Sequence, residues 1–79
     1  MKIEIHLFAS LAKFLPKNAE NKTCIIELPD HSVVSDLIKQ MRLPDHSVKL
    51  IFINGVHASR TSELNNNDRV GIFPPVGGG

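Results

Sequence analysis

One amphipathic stripe constrains the fold of this chain more than any other feature of its sequence. Four apolar residues repeat at positions i, i+3, i+4 and i+7, the spacing that puts side chains on one face of a helix. They are Val34, Leu37, Ile38 and Met41. We predict the main helix here, with Ser32 as its N-cap, Asp36 in its first turns and Leu43–Pro44 at its end. Such a helix needs an apolar surface to cover its stripe.

Short β segments supply that surface. Residues 2–8 alternate, because Ile3, Ile5 and Leu7 point to one side of an extended chain and the residues between them to the other. Asn54–Gly55 is typical of a tight hairpin turn. We predict strands over residues 2–8, 23–28, 48–53, 56–58 and 69–73, and a short helical turn over 11–15 that Pro16 closes.

This order of elements predicts an α+β fold, with one main helix packed across a mixed sheet of four or five strands. That architecture is the β-grasp, or ubiquitin-like, roll. The chain has 79 residues, of which 42% are hydrophobic, so we expect a single core. Residues 1–73 form the predicted β-grasp domain, and residues 74–79 form a flexible C-terminal Pro-Pro-Val-Gly-Gly-Gly tail.

Charge and hydropathy exclude several kinds of partner. Nine Lys/Arg residues against eight Asp/Glu residues give a net charge of +1, which supplies no broad basic field for nucleic acid or an anionic membrane. The apolar stretches are too short to span a bilayer, and the start of the chain lacks the apolar core of a signal peptide. The single cysteine, Cys24, cannot form an internal disulfide. We therefore expect a cytoplasmic protein.

The sequence predicts no active site and no metal site. The four histidines, at positions 6, 31, 46 and 57, do not have the spacing of metal ligands, and no phosphate-binding glycine motif or nucleophile elbow is present. Cys24 lies next to Ile25 and Ile26 in a predicted strand, and with its side chain pointing inward it is a small hydrophobic core residue rather than a nucleophile. We expect no permanently bound cofactor.

The end of the chain is the best candidate for chemistry. Pro74 and Pro75 favour an extended backbone, and after Val76 the chain closes with Gly77, Gly78 and Gly79. A stalk without side chains fits a narrow passage in an enzyme that activates the Gly79 carboxylate. The alternative is a disordered end without function, since glycine-rich termini are common.

Two aromatic residues are predicted outside the core. If Ile5 and Leu7 face the helix, Phe8 falls on the opposite face, and if Ile72 faces it, so does Phe73. Leu50 and Phe52 are expected to extend this patch, because residues 48–53 are apolar on both faces. Exposed aromatic residues favour a protein-docking surface, and the alternative is a sheet packed on both faces.

Four segments carry a family likeness: residues 2–9 (KIEIHLFA), the helix start at Val33–Val34, the turn at 53–55, and Asp68 to Val76 with the glycines that follow. Together they resemble the MoaD/ThiS-like family of sulfur carriers, and within it the small subunit of molybdopterin synthase. The likeness covers essentially the whole chain. Its most specific element is the closing Phe-Pro-Pro-Val and Gly-Gly.

The resemblance implies a carrier subunit without an active site of its own. An E1-like adenylating enzyme uses ATP to activate the C-terminal carboxylate, and a sulfur donor system converts it to a thiocarboxylate. The tail then enters the large subunit of molybdopterin synthase, where sulfur passes to a pterin precursor in molybdenum or tungsten cofactor synthesis. By position, Phe8 and Phe73 match residues that contact the partners, and Gly78–Gly79 match the reactive tail.

Three alternatives stay open from the sequence. The carrier could feed thiamine thiazole or another sulfur product, the Gly79 carboxylate could modify target lysines as in ubiquitin-like modifiers, or the chain could be an interaction domain with an inert tail.

Overall fold

The computed structural model describes residues 1–17, 19 and 22–75. This part of the chain contains one α-helix, two short 3-10 helices and five strands. In chain order they are β1 (Lys2–Leu7), a first 3-10 helix (Ala9–Phe14), β2 (Thr23–Glu27), α1 (Val34–Met41), a second 3-10 helix (Asp45–Ser47), β3 (Leu50–Ile53), β4 (Val56–Ala58) and β5 (Arg69–Phe73).

The five strands form one mixed sheet in the order β2-β1-β5-β3-β4. β1 and β5 run parallel, and the other neighbouring pairs are antiparallel. The strand nearest the C terminus therefore lies at the centre of the sheet, between β1 and β3. A mixed five-stranded sheet with one main helix confirms the predicted β-grasp fold.

The core lies between α1 and the side of the sheet that faces it. Ile3, Ile5 and Leu7 of β1 are fully buried, as the alternation predicts. Each buried side chain of this size contributes roughly 1.5–3 kcal/mol to folding. The other buried apolar residues are Leu11, Leu28, Val34, Leu37, Ile38, Leu43, Val48, Ile51, Leu64, Val70 and Ile72.

The predicted hairpin turn is confirmed by its backbone angles. Asn54 and Gly55 have φ of +51° and +82°, so both central residues of the β3–β4 hairpin are left-handed, as a type I′ turn requires. Asn67, in the turn before β5, has φ of +71°. Asn tolerates this conformation better than most side chains do.

The predicted N-cap of the helix is wrong. Val33, not Ser32, is the N-cap, because an isolated bridge to Glu63 holds Val33 in an extended conformation. The Val34 N–H donates to Ser62 O at 3.0 Å, and the Val33 N–H donates to the Asp36 carboxylate at 2.9 Å. Ser32 instead donates its hydroxyl to Pro29 O. The loop before β5 thus satisfies helix N–H groups that a cap side chain was expected to satisfy.

Other boundaries differ by one or two residues from the prediction. The helix ends where Arg42 takes a left-handed conformation and the Leu43 N–H donates to Ile38 O, a Schellman-type closure. The second 3-10 helix was not predicted, and β3 begins at Leu50 rather than at residue 48. Val48 is nevertheless buried.

The boundary predicted between domain and tail at residue 74 stays a prediction. Pro74 is buried and Pro75 is exposed, so packing continues to residue 74. Residues 76–79 lie outside the described residues. Over the described ranges, none of the helices has the length and apolarity needed to cross a bilayer.

Candidate functional site

The side of the sheet opposite α1, which we call the outer face, carries the aromatic residues. Directly paired residues of neighbouring strands share a face. Phe52 of β3 pairs with Gly71 of β5 on one side and with His57 of β4 on the other, so the three form one row across the sheet. Phe73 lies two residues beyond Gly71, and Phe8 lies beside it just past the end of β1.

Four rings contact one another in sequence across this face. Phe8 and Phe73 stack with centroids 4.1 Å apart and planes 2° apart. Phe73 meets Phe52 edge to face at 5.8 Å, and Phe52 meets His57 in the same manner at 5.6 Å. We call these four residues the aromatic ladder. It runs from the end of β1 to the open edge of the sheet at β4.

The ladder is open to solvent. Phe8 is 36% exposed and the adjoining Leu50 is 39% exposed, while His57 is also exposed. Phe52 and Phe73 are half-buried. The prediction that Phe8 and Phe73 lie off the helix-covered face is confirmed, and so is the extension of the patch by Leu50 and Phe52. Their role in partner binding stays a prediction.

Gly71 lets the Phe8 ring lie flat over the sheet. A Cβ atom added to Gly71 would lie 3.3 Å from Cε2 of Phe8, closer than ordinary van der Waals contact. The absence of a side chain at this position therefore allows Phe8 to reach Phe73. Gly71 was not predicted as part of the site. The signal available in the sequence was a glycine at a strand position that faces away from the helix, together with an aromatic residue predicted on that same face.

The chain leaves the sheet next to the ladder. The Lys49 N–H donates to Phe73 O at 2.8 Å, and the Phe8 N–H donates to Ile72 O at 3.2 Å, so the end of β5 is held on both sides. Pro74 packs into the protein and Pro75 is exposed. The other predicted site residues, Val76, Gly77, Gly78 and Gly79, lie outside the described residues.

Polar residues of β1 adjoin the ladder, because His6 pairs with Gly71 in the row that Phe52 and His57 share. His6 Nε2 and Glu4 Oε2 lie 2.6 Å apart.

The buried Asp68 carboxylate accepts from Asn54 Nδ2 at 2.9 Å and from the Asn65 N–H at 2.8 Å, which ties the β3–β4 turn to the turn before β5. This network is fully hydrogen-bonded, and we assign it a structural role.

The described residues contain no group of three His, Cys, Asp or Glu side chains that could hold a metal ion. Cys24 is half-buried against the core on the edge strand β2. Burial raises the pKa of its thiol, because a thiolate loses hydration there. A raised pKa lowers the thiolate fraction at neutral pH, which agrees with a structural cysteine.

Two depressions on the described surface are small. They hold about 190 and 240 Å³, whereas ligand pockets typically hold roughly 300–1,000 Å³. Neither is lined by a residue of the aromatic ladder. The aromatic ladder beside the chain exit is therefore the candidate site, and its shape suits a protein partner better than a small molecule.

A model of the ThiS family matches residues 5–79 of the chain. No curated protein matches its sequence.

Solved structures share the fold over at least 95% of the chain. SAMP1 from Haloferax volcanii is 24% identical, with 100% of both chains covered and a TM-score of 0.73. A candidate molybdopterin converting factor, subunit 1, from Pyrococcus furiosus is 28% identical over 95% of this chain and 98% of that chain, with a TM-score of 0.68. A chain in the complex of subunits 1 and 2 of the molybdopterin-converting factor from Helicobacter pylori is 18% identical over 100% of both chains, with a TM-score of 0.61.

Proposed function

The chain belongs to the ThiS family of ubiquitin-like sulfur carriers, and from this premise we propose that it delivers sulfur, as a C-terminal thiocarboxylate, to the synthesis of molybdopterin. The observation that carries the proposal is the position of the aromatic ladder, beside the point where Pro75 leads the chain out of the sheet. A partner that docks on the ladder receives the C-terminal segment at the same time.

The chemistry takes place at the Gly79 carboxylate in two steps. An E1-like enzyme joins the carboxylate to the AMP part of ATP and releases pyrophosphate. A sulfur nucleophile at the oxidation level of hydrosulfide then attacks the carbonyl carbon, and the bond to AMP breaks. The products are AMP and a terminal thiocarboxylate, so the carrier itself needs no active site and no resident cofactor.

Glycine at the last three positions serves both steps. The activating enzyme and the acceptor enzyme each have to bring the same carbonyl carbon to their own reacting groups. A chain without Cβ atoms passes through a narrow channel and adopts backbone angles that other residues resist. Recognition then falls to the folded domain, and the tail supplies only reach and reactivity.

The molybdopterin branch is supported by the relatives. The Pyrococcus furiosus protein, 28% identical over nearly the whole chain, is named as a candidate molybdopterin converting factor subunit. The Helicobacter pylori structure is a complex of subunits 1 and 2 of such a factor, and its matching chain has the same fold. By this analogy the large subunit of molybdopterin synthase is the acceptor partner of the present chain.

Mass spectrometry of the intact chain tests the carrier function. After incubation with an E1-like activating enzyme, ATP and a sulfur donor, the chain should gain the mass that replacing one oxygen by one sulfur gives. A chain that lacks Gly78–Gly79 should gain nothing, and its unfolding curve, measured beside that of the full chain, is the control for folding. Failure of the full chain to gain this mass with an active enzyme would refute the proposal.

Binding experiments test the branch. The chain should bind the large subunit of molybdopterin synthase and not a thiazole synthase. The opposite preference would assign the carrier to thiamine synthesis. Recovery of peptides in which Gly79 is joined to a lysine would instead indicate a protein modifier.

A further inference from the structure

Arg60 holds the segment that leads into β3, and through this segment it holds the end of β5. Its Nη1 donates to Asp45 Oδ1 at 3.0 Å, and its Nη2 donates to Asp45 O at 2.9 Å and to Val48 O at 3.2 Å. We infer that Arg60 is a positioning residue, which sets the direction in which the C-terminal tail leaves the domain toward the activating enzyme. This inference rests on the proposed function.

A single peptide unit connects Arg60 to the end of β5. The Val48 carbonyl and the Lys49 N–H belong to the same unit, which is planar, and in a trans unit these two groups point in opposite directions. Arg60 donates to the carbonyl at 3.2 Å, and the N–H donates to Phe73 O at 2.8 Å. When Arg60 no longer holds the carbonyl, the donor that holds Phe73 is therefore free to move with it.

The hydrogen bond from Lys49 to Phe73 is the last backbone hydrogen bond before the tail among the residues that the structure describes. Pro74 and Pro75 follow, and neither has an N–H group to donate. Proline also fixes φ near about −65°, so two prolines in succession pass a tilt of Phe73 on to the chain beyond them and absorb little of it. The position of Lys49 thus controls the direction at the start of the tail.

The loop that carries Arg60 is fixed to the N terminus of α1. The Arg60 carbonyl accepts from the Ser35 N–H at 2.8 Å, and the Ser62 carbonyl accepts from the Val34 N–H at 3.0 Å. From this anchored loop the guanidinium reaches the residues before β3. The direction of the tail is therefore tied to the helix as well as to the sheet.

The contacts of the Arg60 guanidinium lie at the surface, so their loss should change the position of the tail more than the stability of the domain. The Arg60 side chain is 38% exposed and that of Asp45 is 89% exposed. Ion pairs of this exposure contribute little to stability, because water screens the two charges. By contrast, a displacement of about 1 Å can slow an enzymatic step by up to about a hundredfold.

The experiment compares the full chain with Arg60→Ala as substrates of an E1-like activating enzyme. Pyrophosphate release from ATP is measured over a range of carrier concentrations. We expect kcat to fall by about tenfold at unchanged KM, because the aromatic ladder still docks and only the reacting terminus is misplaced. Amide hydrogen exchange, followed by NMR, should become faster at Lys49 and stay unchanged at Ile5, whose exchange reports the stability of the whole sheet.

Two variants with a comparable change of charge are the controls. Glu63→Gln removes the carboxylate that lies 3.4 Å from His31 Nδ1, an exposed pair in the same loop as Arg60. Asp45→Asn removes the charge opposite Arg60 and leaves both carbonyl acceptors in place. Both variants should keep the wild-type kcat and the wild-type exchange at Lys49. Loss of kcat in Asp45→Asn equal to that in Arg60→Ala would refute the role given to the Val48 carbonyl.

Arg60→Met keeps the apolar stem of the side chain without its donors, and it replaces Arg60→Ala if that variant does not fold, as judged by circular dichroism. A wild-type kcat, unchanged exchange at Lys49, or a rise in KM in place of the fall in kcat would overturn this inference and leave the proposed function standing. Failure of both variants to fold would do the same, because Arg60 would then be a residue of stability. Absence of pyrophosphate release with the wild-type chain, from an enzyme that activates its own carrier, would overturn the proposed function and this inference together.

Discussion

On the helix-covered face of the sheet, Ile5 and Val70 have no exposed surface, whereas on the outer face Phe8 stays 36% exposed although it stacks on Phe73. The same strands supply both sets of residues, in alternation. Aliphatic side chains fill the covered face, where packing decides stability. Rings occupy the open face, where they contact one another and leave flat apolar surface for a partner. Under the proposed function, stability and recognition lie on opposite sides of one sheet, and substitutions should separate them.

The largest effect is expected on the covered face. Ile5→Ala should lower the free energy of unfolding by about 2–5 kcal/mol, because it leaves a cavity between β1 and α1. Urea unfolding measures this loss. The milder Ile5→Val should cost about 0.5–1.5 kcal/mol, and the fraction of Ile5→Ala that stays folded should bind the partner normally. Equal costs for both variants would contradict the cavity explanation.

On the outer face, Phe8→Ala should weaken partner binding more than it lowers the free energy of unfolding. Loss of an aromatic anchor costs a protein interface about 2 kcal/mol or more, whereas loss of the stack on Phe73 costs folding about 0.5–1.5 kcal/mol. Calorimetric binding to the proposed partner, the large subunit of molybdopterin synthase, and urea unfolding measure the two quantities. A variant that unfolds much more easily yet binds as tightly as wild type would show that Phe8 belongs to the core.

Gly71→Val sharpens the comparison without removing a ring. The added side chain would occupy the space that Phe8 uses above β5, so the stack should open and affinity should fall by about 1 kcal/mol. Gly71→Ala should have a smaller effect in the same direction. Loss of the upfield ring-current shifts of the Phe8 and Phe73 protons in NMR spectra would report the opening directly. Unchanged shifts in Gly71→Val would refute the role given to Gly71.

The smallest effect concerns Cys24, at the edge of the covered face. Because its pKa is raised in the folded protein, unfolding at alkaline pH releases a proton, and this contribution to stability is lost as pH rises through the folded value. Below the unfolded pKa the thiol is protonated in both states, so stability there should not change on its account. Alkylation by iodoacetamide near neutral pH should be slower in the folded than in the unfolded chain. Faster alkylation of the folded protein would reverse this assignment, and Cys24→Ala is the control for other titrating groups.

Local sequence patterns predicted the elements whose causes are local. The alternation of residues 2–8, the left-handed Asn54–Gly55 turn and the apolar stripe of α1 each depend on neighbouring residues, and each is confirmed. The prediction of the N-cap was wrong because the position of the N-cap depends on a residue that is distant in the sequence. Val33 is held by a bridge to Glu63, which lies far away in the sequence, and no pattern around Ser32 reveals this bridge.

The candidate site divides in the same way. Strand parity suffices to place Phe8 and Phe73 outside the core, because parity needs only the residues of one strand. The contact of His57 with Phe52, and the fit of Phe8 over Gly71, depend on which strands are neighbours. Strand order is set by long-range packing, so the aromatic ladder as a continuous surface could not be predicted from the sequence.

The place of β5 in the sheet has a mechanical consequence. It lies in the middle of the order β2-β1-β5-β3-β4, with a hydrogen-bonded neighbour on each side. An enzyme that draws the tail into a channel would pull along this strand. Such a force has to break the backbone hydrogen bonds to both neighbouring strands at once, whereas an edge strand can be peeled away one hydrogen bond at a time. The domain should therefore resist unfolding while its C terminus is under tension. Force spectroscopy should record a higher rupture force for pulling at the C terminus than for pulling at β4.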